Sequence, residues 1–333
     1  MNLLLTGSTG FVGRNLLLRA LREKKFSTLI LPVRSKEKLL SQLAEEGIKE
    51  LPERVHLCSV KNNIWDLEDA PEPDLVIHCA GLTFSRTRED YFETHVQGTL
   101  QLFEQLPKST YFLVLSSLSA AGPTPHDDTV RRSYHQESPV SWYGESKLAM
   151  EQKLRALYPE RLLIIRPPII LGPRDTATIP LFKMASSLLR VKPGLRAKEY
   201  SWISVDDLCE AILLIVDIDW KKSFPFSYFI SSSQSITDLE LISTTAAVLK
   251  KQGVTLPLPH FFLQMISNIA DQIPALHKPL QSLGRDRIKE ILPQRWVIDG
   301  SEFQRDFKWS PQKTLHETLE ETATWQRSYF KHQ

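Results

Sequence analysis

Residues 3–13 read LLLTGSTGFVG, a short apolar run followed by a glycine at every third position. The leucines fit a buried parallel strand, and the residues after the second glycine begin an apolar pattern with helical period. A strand, a glycine-rich turn and a helix in this order predict a cradle for a dinucleotide. In such a cradle Gly7 makes the tight turn, Gly10 lets the backbone approach a pyrophosphate, and Gly13 lets the helix pack on the strand. A glycine-rich turn that holds no ligand is the alternative.

The composition agrees with a soluble enzyme. The 333 residues, 42% hydrophobic and 24% charged, suffice for a large core in one or two domains. The net charge of +2 gives no reason to expect nucleic acid or an anionic membrane as a partner. Three separated cysteines show neither metal-ligand nor disulfide spacing, so no metal site is expected. Because we see neither a signal peptide nor an apolar run of about 18 residues, we expect a cytoplasmic protein without a membrane span.

The loop after the second predicted strand, 28–33, is basic. Arg34, Ser35 and Lys36 stand where dinucleotide folds read the adenosine ribose, about 20 residues past the glycines. An acid at this position accepts a hydrogen bond from the 2′-hydroxyl of NAD, whereas Arg34 can pair with a 2′-phosphate. We therefore expect NADP as the cofactor, with NAD as the second option. A solvated basic loop is the alternative.

Apolar runs at 55–60, 74–79, 111–117 and 162–165 predict further strands, and helical patterns lie between several of them. Strands that alternate with helices predict an α/β fold on a Rossmann-type, doubly wound parallel sheet. Ligands of such sheets lie at the carboxyl ends of the strands. The small residues that end 74–79 and the serines that end 111–117 are therefore expected beside the cofactor.

A tyrosine and a lysine four residues apart follow a long irregular stretch, 118–141. On a helix, Tyr143 and Lys147 share a face, and the ammonium group favours the phenolate form of the tyrosine. Such a pair suits proton transfer to or from the oxygen of a carbonyl being reduced or an alcohol being oxidised. The spacing alone occurs often by chance, but here it follows the strand end at Ser116 and Ser117.

Taken together, these motifs resemble an extended short-chain dehydrogenase/reductase of the NAD-dependent epimerase/dehydratase superfamily. The motif style is closest to dihydroflavonol-reductase-like and 3-beta-hydroxysteroid-dehydrogenase-like members. The tail at 297–325 is also similar to the usual end of the family. The matching residues follow family order at 6–13, 78–81, 96–99, 116–117, Tyr143 with Lys147, 166–167 with 172–173, and 205–207.

The resemblance implies roles for particular residues. Ser117 would hold the substrate oxygen, Tyr143 would be the acid/base, and Lys147 would bind the nicotinamide ribose and lower the pKa of Tyr143. One departure is His95, which stands where the family commonly has asparagine; a structural histidine is the alternative to a functional one. The residues expected to contact the cofactor are Gly7, Ser8, Thr9, Gly10, Phe11, Val12, Gly13, Arg34, Ser35, Lys36, Cys79, Ala80, Gly81, Ser116, Tyr143, Lys147, Pro167, Pro168 and Ile169.

The predicted domains are interleaved. Residues 1–168, completed by about 201–235, are expected to form the NADP-binding domain. A smaller, mostly helical substrate lobe would comprise 169–200, with a helix inside 174–198, and 236–333. Within it, 256–279 is amphipathic and aromatic, either as core or as a cap over an apolar substrate or partner. Fold analogy alone suggests a homodimer.

The expected function is an oxidoreductase that moves hydride between NADP(H) and a carbonyl or alcohol of a small-molecule substrate. Many nucleotide-sugar enzymes of this superfamily place an asparagine on the diphosphate where this chain has Ile169, and Ile169 cannot donate a hydrogen bond. A substrate without a nucleotide diphosphate is therefore expected. One alternative is a nucleotide-sugar epimerase or dehydratase. Another is a non-catalytic NADP-binding sensor or assembly protein, a class that tends to lose the tyrosine and lysine.

Overall fold

The computed structural model describes residues 1–222, 224–259, 261–262, 265 and 286–331. The chain divides into two compact units. The first consists of Met1–Ser116, Ser146–Arg166 and Cys209–Tyr228. The second consists of Ser117–Glu145, Pro167–Leu208 and Phe229–Gln333.

The strands of the described residues are β1 (Asn2–Thr6), β2 (Thr28–Val33), β3 (Val55–Lys61), β4 (Ile64–Asp66), β5 (Leu75–His78), β6 (Tyr111–Leu115), β7 (Leu162–Arg166), β8 (Ile169–Leu171), β9 (Leu189–Pro193), β10 (Glu199–Tyr200), β11 (Trp202–Ser204), β12 (Ser227–Phe229), β13 (Ile236–Thr237), β14 (Val254–Leu258) and β15 (Arg295–Trp296). The α-helices are α1 (Phe11–Ala20), α2 (Lys36–Ala44), α3 (Arg88–Phe92), α4 (Gly98–Glu104), α5 (Leu118–Ala121), α6 (Trp142–Leu157), α7 (Ile179–Ala185), α8 (Val205–Val216), α9 (Asp238–Val248), α10 (Ile288–Ile291), α11 (Ser301–Phe307) and α12 (Leu315–Lys331). A π-helical turn covers Glu93–Gln97, and a 3₁₀ turn covers Thr176–Thr178.

The first unit is built on one sheet, with strand order β12-β7-β6-β5-β1-β2-β3-β4. The pairs from β7 across to β3 run parallel, and β4 runs antiparallel to β3. Because β1 lies between β2 and β5, the order of the strands reverses there, and ligands bind at such a switch point. The arrangement confirms the predicted Rossmann-type sheet.

Buried leucines explain the position of β1 at the centre of this sheet. Leu3, Leu4 and Leu5 are at most 1% exposed, as expected for a strand with packing on both faces. Pro32 lies in β2 beyond Ile30, the last residue of that strand paired with β1. Its missing N–H therefore costs no hydrogen bond on that side of the strand.

The second unit contains short sheets beside its helices, where the sequence predicts a mostly helical lobe. The sheets are β13-β10-β15, β8 with β11, and β9 with β14. The predicted helix in 174–198 is found as α7. Residues 189–193 instead form a strand, in which buried and exposed side chains alternate with period 2. Most of the amphipathic segment 256–279 lies outside the described residues.

The segment Ser117–Glu145 belongs to the second unit, although the sequence places it in the 1–168 domain. Backbone hydrogen bonds explain this assignment. The N–H of Thr124 donates to the carbonyl of Arg295 over 3.1 Å, and the N–H of Arg131 donates to the carbonyl of Val297 over 2.7 Å. The irregular stretch is thus tied to the strand β15, far along the chain.

In the part of the chain that the structure describes, we find no helix that combines the length and the apolar character needed to cross a membrane.

Candidate active site

The glycine-rich turn after β1 has geometry that other residues cannot adopt. Gly7 has a φ of +70°, and a Cβ there would lie 2.8 Å from the backbone nitrogen of Ala80. A Cβ on Gly13 would lie 2.1 Å from the carbonyl oxygen of Gly7. Gly10 caps α1 in an extended conformation, without a side chain on the helix end. Both the turn and the contact between helix and strand therefore require glycine.

The turn also presents hydrogen-bond donors that suit a pyrophosphate. The first N–H groups of a helix have no partner inside it and carry a partial positive charge. Beside them the Ser8 hydroxyl is 1% exposed and has no hydrogen-bond partner among the described residues. Phosphate oxygens would satisfy these groups, so the cradle fits a dinucleotide cofactor. Contacts from Thr9, Phe11 and Val12 remain predictions.

The basic loop is located at the N-terminus of α2. Arg34 and Lys36 are exposed there. The Ser35 hydroxyl caps the helix, accepting from the N–H of Lys38 over 3.1 Å and donating to Glu37 over 2.9 Å. Ser35 thus has a structural role that the sequence did not indicate.

Helix α2 is held to the glycine-rich turn by two polar residues. Gln42 donates to the carbonyl of Thr9 over 3.2 Å. The buried Arg14 on α1 donates to the carbonyl of Gln42 over 2.9 Å and pairs with Glu45 and Glu46, also at 2.9 Å. These hydrogen bonds therefore hold α2, which follows the loop at Arg34, in a fixed position against the glycine-rich turn.

The carboxyl end of β5 is fixed by a buried hydrogen-bond chain. The N–H of Ala80 donates to Oγ1 of Thr6, which lies 3.0 Å from Nδ1 of His78. Nε2 of His78 lies 3.0 Å from the hydroxyl of Thr99. Burial lowers the pKa of His78 to about 3, so the ring is neutral. The half-buried Cys79 lies in this segment, and burial raises the pKa of its thiol to about 12.

His95 connects the loop after β5 to helix α6. Its Nε2 accepts from the N–H of Leu82 over 2.9 Å, so the proton of the neutral ring is on Nδ1, which lies 2.8 Å from the hydroxyl of Ser146. Burial, reinforced by the charge of Lys147, lowers the pKa of His95 to about 2. His95 lies in the π-helical turn, a feature frequent at functional sites. It therefore positions both the loop and the residue next to Lys147.

Lys147 is a buried cation close to that loop. It is 4% exposed, and its Nζ donates to the carbonyl of Leu115 at the end of β6 over 3.3 Å. A Cβ on Gly81 would lie 3.3 Å from Nζ and 3.2 Å from Nε2 of His95, which explains the small residue there. Burial lowers the pKa of Lys147 to about 8, and the carboxylate of Glu151 opposes this shift.

A second buried network lies one turn further along α6. Arg166, at the end of β7, donates from Nε to the two carboxylate oxygens of Glu151 over 3.1 and 3.0 Å. The hydroxyl of Ser116 donates to the same carboxylate. Ser116 is therefore engaged within the protein, and its predicted cofactor contact stays a prediction. Sequence reasoning missed Glu151, although its spacing of four from Lys147 was a usable signal.

The second unit carries Ser117 and the start of α6. The Ser117 hydroxyl caps α5 by accepting from the N–H of Ser119 over 3.1 Å. At the start of α6, Asp286 accepts from the N–H of Trp142 over 2.9 Å. The guanidinium carbon of Arg287 lies 5.2 Å from the ring centre of Tyr143, so a cation faces the aromatic ring.

Helix α6 runs unbroken through Tyr143 and Lys147. The four-residue spacing therefore places them one turn apart, about 6 Å along the axis. A tyrosine and a lysine at this spacing on one helix are the residue types that suit proton transfer at a substrate oxygen, and their predicted roles stay predictions.

The remaining predicted contact residues, and an aspartate of the motif 205–207, lie in the second unit. Pro167 and Pro168 lie between β7 and β8, and Ile169 starts β8, 38% exposed and paired with Trp202. Asp207, near the start of α8, accepts from the hydroxyl of Ser204 over 2.7 Å and from the N–H of Gln312 over 2.9 Å. Asp207 thus anchors the C-terminal segment, and the Ser204 hydroxyl accepts from the N–H of Asp207 over 2.9 Å at the start of the helix. Within the described ranges no group of His, Cys, Asp and Glu side chains could hold a metal ion.

Comparisons with known proteins agree on one family. Residues 3–222 match the model of the NAD dependent epimerase/dehydratase family. The chain is 25% identical to a UDP-glucose 4-epimerase of Vibrio cholerae over 340 residues, covering 97% of this chain and 94% of that protein. It is 30% identical to a ceramide reductase of Caulobacter vibrioides over 187 residues, covering 55% and 50%. It resembles the structure of a UDP-glucuronic acid 4-epimerase from Bacillus cereus, with a TM-score of 0.76, 17% identity, and coverage of 99% and 100%.

Proposed function

Because the chain belongs to the NAD-dependent epimerase/dehydratase family, we propose that it is an enzyme that oxidises and re-reduces a hydroxyl-bearing carbon of a nucleotide sugar. The observation that carries the proposal is the pair Tyr143 and Lys147 on α6, together with the glycine-rich cradle. Two relatives named for epimerisation of UDP-sugars support this substrate class. The proposal departs from the non-nucleotide substrate expected from Ile169.

In the proposed mechanism the bound dinucleotide supplies a hydride acceptor and donor. Tyr143 takes the proton from the substrate hydroxyl as the alcohol is oxidised and returns it when the carbonyl is reduced. Lys147 holds a ribose and stabilises the phenolate, and Ser117 holds the substrate oxygen. An isomer would form when the hydride returns to the opposite face of the carbonyl, and with no net redox change only catalytic amounts of cofactor would be needed.

We expect UDP-glucose or UDP-glucuronic acid to be converted to an isomer without net consumption of cofactor. Product chromatography and absorbance at the nicotinamide band measure both quantities in one reaction. Ile169→Asn should tighten binding about tenfold, because a hydrogen bond to a charged diphosphate is strong. Should no nucleotide sugar bind, as measured by calorimetry, the proposal is wrong.

A second candidate is net reduction of a carbonyl on a substrate without a diphosphate. Two observations favour it: Ile169 offers no donor, and one relative at 30% identity is named a ceramide reductase. In this case NADPH would be consumed in proportion to product, and Ile169→Asn would leave the affinity for substrate unchanged. The same reaction mixture therefore separates the two candidates.

The proposed cofactor preference is for NADP, with Arg34 on the 2′-phosphate. NADPH should bind more tightly than NADH, and Arg34→Asp should weaken NADPH about tenfold or more, since a charge-assisted hydrogen bond is lost. Fluorescence titration measures both affinities. Arg22→Asp is a matched control, because Arg22 is also exposed in the first unit. Equal affinity of the unmodified protein for the two cofactors would contradict the assignment and leave NAD.

A further inference from the structure

The ribbon formed by β9 and β14 in the second unit exposes apolar side chains and buries charged ones. The strands pair in parallel from Leu189 with Val254 to Pro193 with Leu258. Cations of β9 point inward, where Arg190 is 5% and Lys192 3% exposed. We call the opposite side the apolar face; its exposed side chains are Leu189, Val191, Val254 and Leu256. A sheet with one face in water normally shows the reverse pattern.

The inward cations are bound in the protein, which fixes this orientation. Arg190 donates to the carbonyls of Ser187 over 3.3 Å and Lys251 over 3.0 Å. Lys192 donates to the carbonyl of Gly194 over 2.9 Å and pairs with the buried carboxylate of Asp238 at 3.1 Å. A register slip that turned the leucines inward would expose these cations and leave Asp238 unpaired. The apolar face is therefore held outward.

The two sequence segments that carry the ribbon contain basic but no acidic residues. The sequence has no acidic residue in 176–198 or 241–270, which contain the two strands. Lys250 and Lys251 are exposed just before β14, and Arg196 is exposed beyond the opposite end of the ribbon. Exposed cations thus stand at both ends of the apolar face. The overall charge of +2 conceals this local segregation.

We propose that the apolar face docks on the surface of an anionic lipid bilayer. Leucine and valine side chains would enter the interface, while Lys250, Lys251 and Arg196 meet anionic headgroups. The exposed Phe261, three residues after β14, is an apolar aromatic side chain of the kind that inserts beside leucine at an interface. A symmetric contact with a second copy fits less well, because it would bring the exposed cations at the ends of the face close to those of the copy.

The test is flotation of the full chain with vesicles of phosphatidylcholine, with and without phosphatidylglycerol. We expect binding only to the anionic vesicles, falling as salt rises. Two sets of variants should each reduce binding by about tenfold or more. The variants are L189S/V191S/L256S and K250E/K251E. The matched controls, on exposed residues of the first unit, are I64S/L157S/L214S and R22E/K24E.

Several outcomes would overturn the proposal. The unmodified protein could fail to float, float equally with neutral vesicles, or lose binding equally in the control variants. If light scattering shows a dimer, and L189S/V191S/L256S dissociates it, the apolar face is a contact between copies. Circular dichroism and NADPH titration should be unchanged in every variant, because these side chains are exposed and lie outside the cradle. Nucleotide-sugar conversion is measured without vesicles, so the two proposals fail independently.

Discussion

Tyr143→Phe should lower turnover by about 10²–10⁴-fold, the range for loss of a general acid/base. The hydroxyl is proposed to act on the substrate and not on the cofactor, so affinity for NADPH should be unchanged. Steady-state kinetics on the accepted substrate and fluorescence titration of the cofactor measure the two effects.

Tyr134→Phe is the matched control for this substitution, because Tyr134 is a tyrosine of the same unit that is 74% exposed. Its turnover should match that of the unmodified protein. Lys147→Met should lower both turnover and cofactor affinity, which distinguishes the role of the ammonium from that of the phenol. Near-normal turnover by Tyr143→Phe would contradict the proposed acid/base role of Tyr143.

Glu151→Gln should destabilise the first unit by about 3–5 kcal/mol, the cost of leaving one partner of a buried ion pair unpaired. Arg166 and Glu151 are both nearly inaccessible, at 7% and 5% side-chain exposure. Urea denaturation followed by circular dichroism measures the free energy of unfolding. The loss of this carboxylate also removes a group that favours the charged form of Lys147.

The control for Glu151→Gln is Asp217→Asn, which breaks the exposed pair of Asp217 with Lys25 in the same unit. That change should cost at most about 1 kcal/mol, because solvent screens the pair. Replacing both buried partners, as in E151Q/R166M, should recover much of the lost stability, since no charge is then left alone. If Glu151→Gln and Asp217→Asn lowered the free energy of unfolding by the same amount, burial would not determine the stability lost when an ion pair is broken.

The sheet of the first unit could be predicted because its strands have strong local signals. The run Leu3, Leu4 and Leu5 and the glycines after it specify strand, turn and helix without help from distant residues. The ribbon of the second unit could not be predicted in this way. There the buried side chain of Lys192 pairs with Asp238, far along the chain, and the sequence around Arg190 does not indicate that partner.

In the candidate site, too, only the residues with a local sequence signal could be predicted. Tyr143 and Lys147 are visible in the sequence because one helix carries both. The position of His95 between a loop and Ser146 depends on tertiary packing, so the sequence indicates the residue but not its partners. The cofactor contact predicted for Ser35 stays a prediction, and the structure adds that its hydroxyl caps α2, a local role that the sequence did not indicate.

The burial of Cys79 has a consequence for oxidation chemistry. Peroxides and disulfides react with the thiolate form of cysteine. With a pKa of about 12, Cys79 is almost entirely a neutral thiol at physiological pH, and burial likewise raises the pKa of Cys58 to about 11. The neutral thiol of Cys79, next to the glycine-rich turn, therefore adds no negative charge there and is a weak nucleophile towards oxidants.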